Sequence, residues 1–373
     1  MNGRERLLAA FRHEVPDRVP VSFFIQDYFV KALLKRDEID PVDDVVEVCR
    51  DLGMDIMLRP EWMDTTYFTK DSAPGWEVEV RSEHADERVG EYWTIHTPKG
   101  DLHQTLITVY GKREFGFFGW QEHFIKTEHD LDLFEEFEPP LRFDIGERMR
   151  RAFKAVGDDG IVAPWLPDCP FNQGFYLRGL EQVLVDSKTN FALYDRLMRF
   201  RLRQSLTLIP EVSATGADLG CIGGNVGNAR LVSKAFYDRF ILPYDREYVR
   251  AVEAAGLPVL FHNCGYAMPF LESYVEMGCR AFETLTPPPN ADGDLADAKR
   301  RVGDRLVLVG NLDQINLLRV GSREDIERVT RSTIEAGKPG GGFVLSTADH
   351  LYDETPIDNV RWAVEAALDV AGY

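Results

Sequence analysis

Residues 258–311 read PVLFHNCGYAMPFLESYVEMGCRAFETLTPPPNADGDLADAKRRVGDRLVLVGN. Short apolar runs in this stretch alternate with helical patterns. The runs cover residues 258–262, 281–285 and 306–311, and the helical patterns cover 268–277 and 294–302. Runs of this length, bounded by Gly, Pro or Asp, are typical of buried strands in a parallel sheet. The stretch therefore predicts parallel strands joined by helical crossovers.

The same alternation extends over most of the chain. The apolar runs are 18–24, 54–59, 161–166, 217–222, 258–262, 281–285, 306–311 and 343–347. The helical segments are 43–51, 145–156, 180–211, 233–255, 268–277, 294–302, 322–336 and 356–370. Eight strands with intervening helices are the number that closes a TIM barrel. The sequence predicts an α/β fold, a (β/α)8 TIM barrel.

One region breaks the alternation. Residues 76–120 alternate apolar and polar side chains around a turn at 97–100, TPKG, which is typical of a β hairpin. We predict a single domain over residues 1–373, with an antiparallel β insertion at about 65–125, after the second strand and over the barrel mouth. Its aromatic residues, such as Trp93 and Trp120, either pack the insertion onto the barrel or line an apolar pocket.

Composition limits the partners. The 43 basic and 62 acidic side chains give a formal charge of −19, which disfavours nucleic acid and anionic membranes. The five cysteines form no CxxC pair, and this favours a reducing compartment. No run reaches the ~20 apolar residues of a membrane span. We predict a cytoplasmic protein that binds neither nucleic acid nor membrane.

His262 and Cys264 are the sharpest chemical signal in the sequence. Residues i and i+2 of an extended chain project to the same side, so an imidazole nitrogen and a thiolate can reach one ion, while Gly265 gives the backbone room to turn. Zinc accepts mixed nitrogen and sulfur ligands. The alternative is that His262 hydrogen-bonds inside the barrel and Cys264 is a small buried apolar residue.

A third ligand would have to come from another strand end, and Asp349, His350 and Glu283 are the candidates. Glu283 could instead orient His262 from behind, as carboxylates next to metal-binding histidines do. His350 could be a general acid or a surface histidine. From the residues alone, these alternatives remain open.

Four further residues follow strand ends and are predicted to contact substrate: Glu61, Trp165, Asn225 and Asn311. In a TIM barrel the catalytic groups stand at the carboxyl ends of the strands. Asn225 lies in the glycine-rich stretch 221–228, which lacks the lysine of a phosphate-binding P-loop and indicates a tight turn.

Several stretches together resemble the uroporphyrinogen decarboxylase-like superfamily, which includes cobamide-dependent methyltransferases. They are MNGRERLLAAFRHEVPDRVPV (1–21), HNCG (262–265), TPPPNADGDLADAKRRVGDRLVLVGNLD (286–313) and GGGFVLSTADHLYDETPIDNV (340–360). The resemblance implies a single TIM barrel. True decarboxylases carry an arginine-rich segment after the first strand, where this chain reads SFFIQDYFVKALL (22–34) without arginine.

The methyltransferase branch uses an HxC pair and a third, carboxyl-terminal ligand to hold zinc. The resemblance implies that His262, Cys264 and Asp349 bind the metal, although Asp349 stands where the coenzyme M methyltransferases have cysteine. Glu283 and His350 are the predicted catalytic residues. The predicted cofactors are zinc and a corrinoid (cobalamin) carried by a partner protein, and a homodimer is left open.

The resulting hypothesis is a zinc-dependent methyltransferase that moves a methyl group between a small substrate, with a methoxylated aromatic preferred, and a protein-bound corrinoid. The alternative is a metal-free, decarboxylase-like lyase that acts on a smaller carboxylic acid with Asp349 or His350 and Arg59. A third hypothesis is a barrel that binds a ligand or partner without catalysis.

Overall fold

The computed structural model describes residues 1–60, 67–110, 116–142 and 146–373. The strands are β1 Ile56–Leu58, β2 Glu77–Ala85, β3 Arg88–Thr97, β4 Gly100–Val109, β5 Phe117–Glu122, β6 Gly160–Val162, β7 Gly220–Gly223, β8 Val259–His262, β9 Ala281–Thr284, β10 Val307–Leu312 and β11 Phe343–Thr347. The α-helices are α1 Gly3–Phe11, α2 Asp27–Leu34, α3 Asp43–Asp51, α4 Glu128–Phe137, α5 Gly146–Val156, α6 Pro170–Arg178, α7 Leu180–Thr189, α8 Phe191–Leu206, α9 Ile209–Ala214, α10 Lys234–Phe236, α11 Leu242–Ala254, α12 Leu271–Met277, α13 Leu295–Val302, α14 Arg323–Gly337 and α15 Ile357–Val370.

The parallel strands form a closed ring. Strands β7 to β11 pair in sequence order, and β1 pairs with β6. Trp165, just after β6, bridges in parallel to Cys221 in β7, and Val21 bridges in parallel to Leu345 in β11. The amide of Asp55 donates to the carbonyl of Val21 at 2.8 Å, which joins the first strand position to the second. The predicted eight-stranded TIM barrel is confirmed.

The inside of the barrel is apolar and is closed at its amino end by α1. Leu7 and Phe11 of α1 pack into one buried cluster with Ile161, Leu260 and Val307 from the strands. Full burial of one such aliphatic side chain contributes about 1.5–3 kcal/mol. The amino end is therefore built for stability, which leaves the carboxyl ends of the strands for chemistry.

The predicted insertion is an antiparallel sheet of four strands, β2 to β5 in order, and it follows the second barrel strand. A two-residue turn joins β3 to β4, where Thr97 pairs with Gly100, as the TPKG motif predicts. The sheet contacts α6, because the ring centroids of Trp120 and Tyr176 lie 5.0 Å apart. The domain limits, and the position of the insertion over the barrel mouth, stay predictions.

Two predicted helices are divided. Residues 180–211 form α7, α8 and α9, because Asn190 leaves helical geometry and caps α8 through the amide of Leu193, and because Pro210 opens α9. Residues 233–255 form α10, a π-helical turn at Tyr237–Ile241, and α11, with Pro243 in the first turn of α11. Helices α1, α2, α4 and α6 were not predicted.

No helix among the described residues combines the length and the apolar character that crossing a membrane requires.

Candidate metal centre

Three side chains from two strand ends converge at the carboxyl end of the barrel. His262 ends β8, Cys264 follows two residues later, and Asp349 lies two residues beyond the end of β11. One nitrogen, one sulfur and one oxygen atom of these residues lie within 4.8 Å of one another. His262 is buried, whereas Cys264 and Asp349 are half-buried, so the group is reached from the outer side.

The backbone around the pair is held by the turn that follows β7. The amide of Gly224 donates to the carbonyl of His262 at 2.9 Å, which extends the β7–β8 pairing to the strand end. Gly265 is required by a close approach, since a Cβ there would lie 2.7 Å from Cγ of Asn228. The sequence pattern HxCG thus places both side chains through the strand and allows the chain to turn directly after them.

Glu283 links His262 to Arg59. The Nδ1–H group of His262 donates to Oε1 of Glu283 at 2.8 Å, and Arg59 donates to the other carboxylate oxygen, Oε2. Both side chains of the Arg59–Glu283 pair are about 95 % buried, with 5 % and 3 % of their surfaces exposed. Because Nδ1 is engaged by a carboxylate, Nε2 is the imidazole nitrogen left for an ion.

The three groups shift one another's pKa values. Burial works to raise the pKa of Asp349, but His350 and His262 hold that pKa below its usual range. Burial and the charge of Asp349 raise the pKa of the Cys264 thiol, although His262 works in the opposite direction. Burial would lower the pKa of His262, but hydrogen bonds with Cys264 and Glu283 raise it well above its usual value. A bound cation would favour the thiolate and the neutral imidazole instead.

The donor set fits zinc. Imidazole nitrogen, thiolate sulfur and carboxylate oxygen are the ligands that zinc accepts, and three protein ligands leave one position of a tetrahedral site open. The Glu283–His262 hydrogen bond is the outer-shell contact typical of metal-binding histidines. His262, Cys264 and Asp349 are the residues that would hold the ion.

The backbone after Glu283 is strained. Thr284 has φ of 86° and Leu285 has φ of 44°, in the left-handed region that residues with side chains avoid. The hydroxyl of Thr284 donates to the carbonyl of Asn263 at 2.8 Å. This contact ties the end of β9 to the turn that carries Cys264.

A cavity of about 390 Å³ opens beside these residues, and Phe24, Arg59 and Trp165 belong to its lining. The guanidinium carbon of Arg59 lies 3.8 Å from the Phe24 ring centroid and 5.1 Å from that of Trp165. The Trp165 and His262 rings are 5.5 Å apart in an edge-on arrangement. The cavity therefore has an aromatic and cationic wall next to the predicted ligand set.

His350 lies at the edge of this arrangement. Its Nδ1 is 3.2 Å from Oδ1 of Asp349, and its ring packs edge-on against Tyr28 and Phe24 at 5.3 and 6.1 Å. The structure thus brings the predicted catalytic residues Glu283 and His350 to opposite sides of the ligand set, one behind His262 and the other beside Asp349.

The predicted substrate residues are distributed differently. Trp165 lines the mouth cavity. Asn225 is half-buried, and its Oδ1 has no hydrogen-bond partner within the described ranges. Asn311 donates to the carbonyl of Leu285 at 3.1 Å and lines another cavity, with Asp292 and Ser332. Glu61 lies outside the described residues.

Sequence reasoning underused two residues. The sequence analysis assigns Arg59 a role only in the lyase alternative and assigns Phe24 none. Both signals were present, since each residue directly ends an apolar run, at 54–59 and 18–24. The contacts that join Arg59 to Glu283 and Phe24 connect distant parts of the chain, and residue spacing does not reveal them.

The comparisons with known proteins agree on one family. A family model described as Uroporphyrinogen decarboxylase (URO-D) matches residues 161–370. A methylcobamide:CoM methyltransferase from Methanosarcina mazei is 26 % identical over 178 residues, which are 47 % of this chain and 48 % of that protein. A uroporphyrinogen decarboxylase from Coxiella burnetii is 31 % identical over 155 residues, 40 % of each chain. The chain thus spans about half the length, or less, of the curated relatives that it matches.

Among solved structures, a methyltransferase from Methanosarcina mazei has a TM-score of 0.72 with this chain, at 18 % identity and with 99 % of each chain covered. At that identity, the likeness concerns the fold. The predicted superfamily is confirmed, and the site assignments stay predictions.

Proposed function

This chain belongs to the uroporphyrinogen decarboxylase (URO-D) family, and from that premise we propose that it is a zinc-dependent methyltransferase that moves a methyl group between a small substrate and a corrinoid held by a separate protein. The observation that carries the proposal is the convergence of His262, Cys264 and Asp349 within 4.8 Å. A relative named as a methylcobamide:CoM methyltransferase supports the same reaction class.

Each residue of the site would have a separate role in the reaction. Bound zinc would supply Lewis acidity, which favours the anionic form of the reacting heteroatom. Glu283 would hold the imidazole of His262 in the orientation that ligation needs, and Arg59 would in turn hold Glu283. Phe24 and Trp165 would pack against an apolar substrate and keep water from the reacting atoms.

The aromatic wall of the cavity supports a methoxylated aromatic as the methyl donor. Flat rings pack favourably against Phe24 and Trp165 in offset or edge-on arrangements. His350, whose Nδ1 lies 3.2 Å from Oδ1 of Asp349, would donate a proton to a phenolate leaving the site. The corrinoid protein and a homodimer remain predicted partners.

The test combines metal content with methyl transfer. We expect about one zinc per chain in metal-replete protein, and transfer of methyl from 3-methoxybenzoate to free cob(I)alamin, followed by the change in corrinoid absorbance. Cys264→Ala should lose both. The matched control is Cys279→Ala, because Cys279 is buried beside Met277 before β9, away from the ligand set. Metal-replete protein without zinc, or full zinc retention in Cys264→Ala, would contradict the proposal.

A lyase is the second candidate, because Arg59 places a guanidinium in the wall of the cavity. Such a group can hold a carboxylate that is lost as carbon dioxide. Carbon dioxide release from a small aromatic acid by zinc-free protein, without methylation of cobalt, would favour the lyase.

A further inference from the structure

Arg59 is incompletely hydrogen-bonded. Its Nη2 donates to Glu283 and its guanidinium also lies close to the Cys221 thiol, whereas its Nε and Nη1 have no nitrogen or oxygen acceptor among the residues that the structure describes. Nε carries one N–H bond and Nη1 carries two, and the guanidinium stays charged at every physiological pH. Buried donors without acceptors are costly, so a site that keeps them calls for an acceptor from outside the chain.

A second buried arginine shows that burial alone does not leave two guanidinium nitrogens without a hydrogen-bond partner. Arg201 is 0 % exposed and pairs with Glu138 at 2.6 Å, and it also donates through Nε to Gln173 at 2.9 Å. Only its Nη2 lacks a partner within the described ranges. Arg201 does not line the mouth cavity, whereas Arg59 lines it and leaves two nitrogens unused. Arg59 therefore combines unused donors with a position in the wall of the cavity.

The net charge of the protein does not attract an anion to the cavity. The chain carries a charge of −19, and the cavity is lined by Lys31 and Arg148 as well as by Asp27, Asp37 and Glu38. An anion would be repelled at long range and would have to be held by direct contact. Glu283 is shared between Arg59 and His262, and the remaining donors of Arg59 can provide that contact.

The rings around Arg59 define the rest of the ligand. Phe24 and Trp165 flank the guanidinium at 3.8 and 5.1 Å. The same two rings lie 6.1 and 5.5 Å from the imidazole of His262. A ligand that packs against these rings therefore spans Arg59 and the predicted ligand set.

We infer that Arg59 binds the carboxylate of the substrate, and that the substrate class is a flat aromatic acid. This inference rests on the proposed function, because it names the substrate of the same site. The carboxylate accepts from the guanidinium of Arg59, which lies in the wall of the cavity and has two nitrogens without a partner among the described residues. The ring of the acid packs against Phe24 and Trp165.

The test measures binding without turnover. Calorimetric titration of zinc-loaded protein, without corrinoid, compares 3-methoxybenzoate with 3-methoxybenzamide, which has nearly the same shape and no charge. We expect the acid to bind at least about 10-fold more tightly, since hydrogen bonds to charged groups are the stronger class. In Arg59→Met this preference should disappear. Equal affinity for acid and amide in the wild type would overturn the inference.

Two further variants control for charge and for folding. Arg246→Met removes the same charge at the surface, where Arg246 pairs with Glu276, and it should keep the preference for the acid. Arg59→Lys keeps the charge without the planar donors and should retain only part of the preference. If Arg59→Met does not fold, the comparison of acid and amide in the wild type and in Arg59→Lys decides. Preference retained in full by Arg59→Met or Arg59→Lys contradicts the role of Arg59.

Metal analysis of the same samples separates this inference from the proposed function. Stoichiometric zinc without any preference for the acid would remove the assignment of Arg59 and leave the methyltransferase standing. Preference for the acid in protein that never binds zinc would support the assignment of Arg59 and contradict the zinc-dependent methyltransferase.

Discussion

Two buried polar clusters lie at the carboxyl ends of barrel strands, and they differ in how completely their hydrogen bonds are made. In the Asp168 cluster, Asp168 accepts from the hydroxyl of Tyr176 at 2.7 Å and from the amide of Asn172 at 3.2 Å, after strand β6. In the His262 cluster, formed by His262, Glu283 and Arg59, two guanidinium nitrogens have no partner among the described residues.

This difference distinguishes a polar cluster that stabilises the fold from one that is a candidate for binding a ligand. Both clusters are deeply buried, since Asp168 and Glu283 are 3 % and 2 % exposed. The carboxylate of Asp168 is closely packed, since a Cβ on Gly223 would collide with it. The His262 cluster instead includes Arg59, which lines a cavity, and His262, one of three residues that could hold a metal ion. A polar residue at a strand end is therefore weaker evidence for a site than unfilled bonding capacity beside a cavity.

The largest expected effect is on the metal. Asp349→Ala should lower zinc affinity by more than about 100-fold, because removal of a direct ligand exceeds the 10- to 100-fold cost of losing an outer contact. Asp349→Cys should keep zinc, since it gives a nitrogen and two sulfur ligands. Competition with a chromophoric chelator measures both. Equal zinc affinity in Asp349→Ala and the wild type would remove Asp349 from the ligand set.

A smaller loss is expected one contact further from the ion. Glu283→Gln keeps the size of the side chain but removes the charge that orients His262 and pairs with Arg59. We expect zinc affinity to fall about 10- to 100-fold. The same chelator competition applies, and unchanged affinity would show that Glu283 does not support the imidazole.

The Asp168 cluster should respond in stability alone. Asp168→Ala leaves the Tyr176 hydroxyl and the Asn172 amide without their acceptor, at a cost of about 2 kcal/mol in the free energy of unfolding. Urea denaturation measures this loss. Zinc content should stay at the wild-type level, and a selective loss of zinc with normal stability would reverse the assignment of the two clusters.

Within any one pH unit, a still smaller change in stability is expected next to the Asp168 cluster. Burial and the nearby charge of Asp168 raise the pKa of Asp245 to about 8, although Cys169 works in the opposite direction. The unfolded carboxyl titrates near ~4, so between these values the folded state holds a proton that the unfolded state has released. The stability contributed by this group is complete below the unfolded pKa and is lost as the pH rises through the folded pKa.

Asp245→Asn should therefore flatten the profile. Between pH 5 and 8, the wild type should lose up to about 1.4 kcal/mol per pH unit relative to this variant, measured by urea denaturation at several pH values. Parallel profiles for the two proteins would mean that Asp245 is not protonated in the folded state.

The barrel could be predicted from the sequence because alternation of apolar runs and helices is a local property. The pair His262 and Cys264 could be found for the same reason, since two residues of one strand end define it. The link from Arg59 through Glu283 to His262 could not, because it joins residues 59 and 283 across the barrel. The turn of Asn311 toward Leu285 likewise depends on packing that the run 306–311 does not encode.

Because the backbone at Thr284 is strained, a substitution that increases stability at this position should reduce activity. A β-branched residue with a φ of 86° costs of order 1–3 kcal/mol, which glycine would recover. Selection of variants for heat resistance alone would therefore favour glycine at this position. Such variants would also lose the hydroxyl that bonds to Asn263, and with it the contact between the end of β9 and the turn that carries Cys264, so gains in melting temperature at this position should be accompanied by loss of turnover.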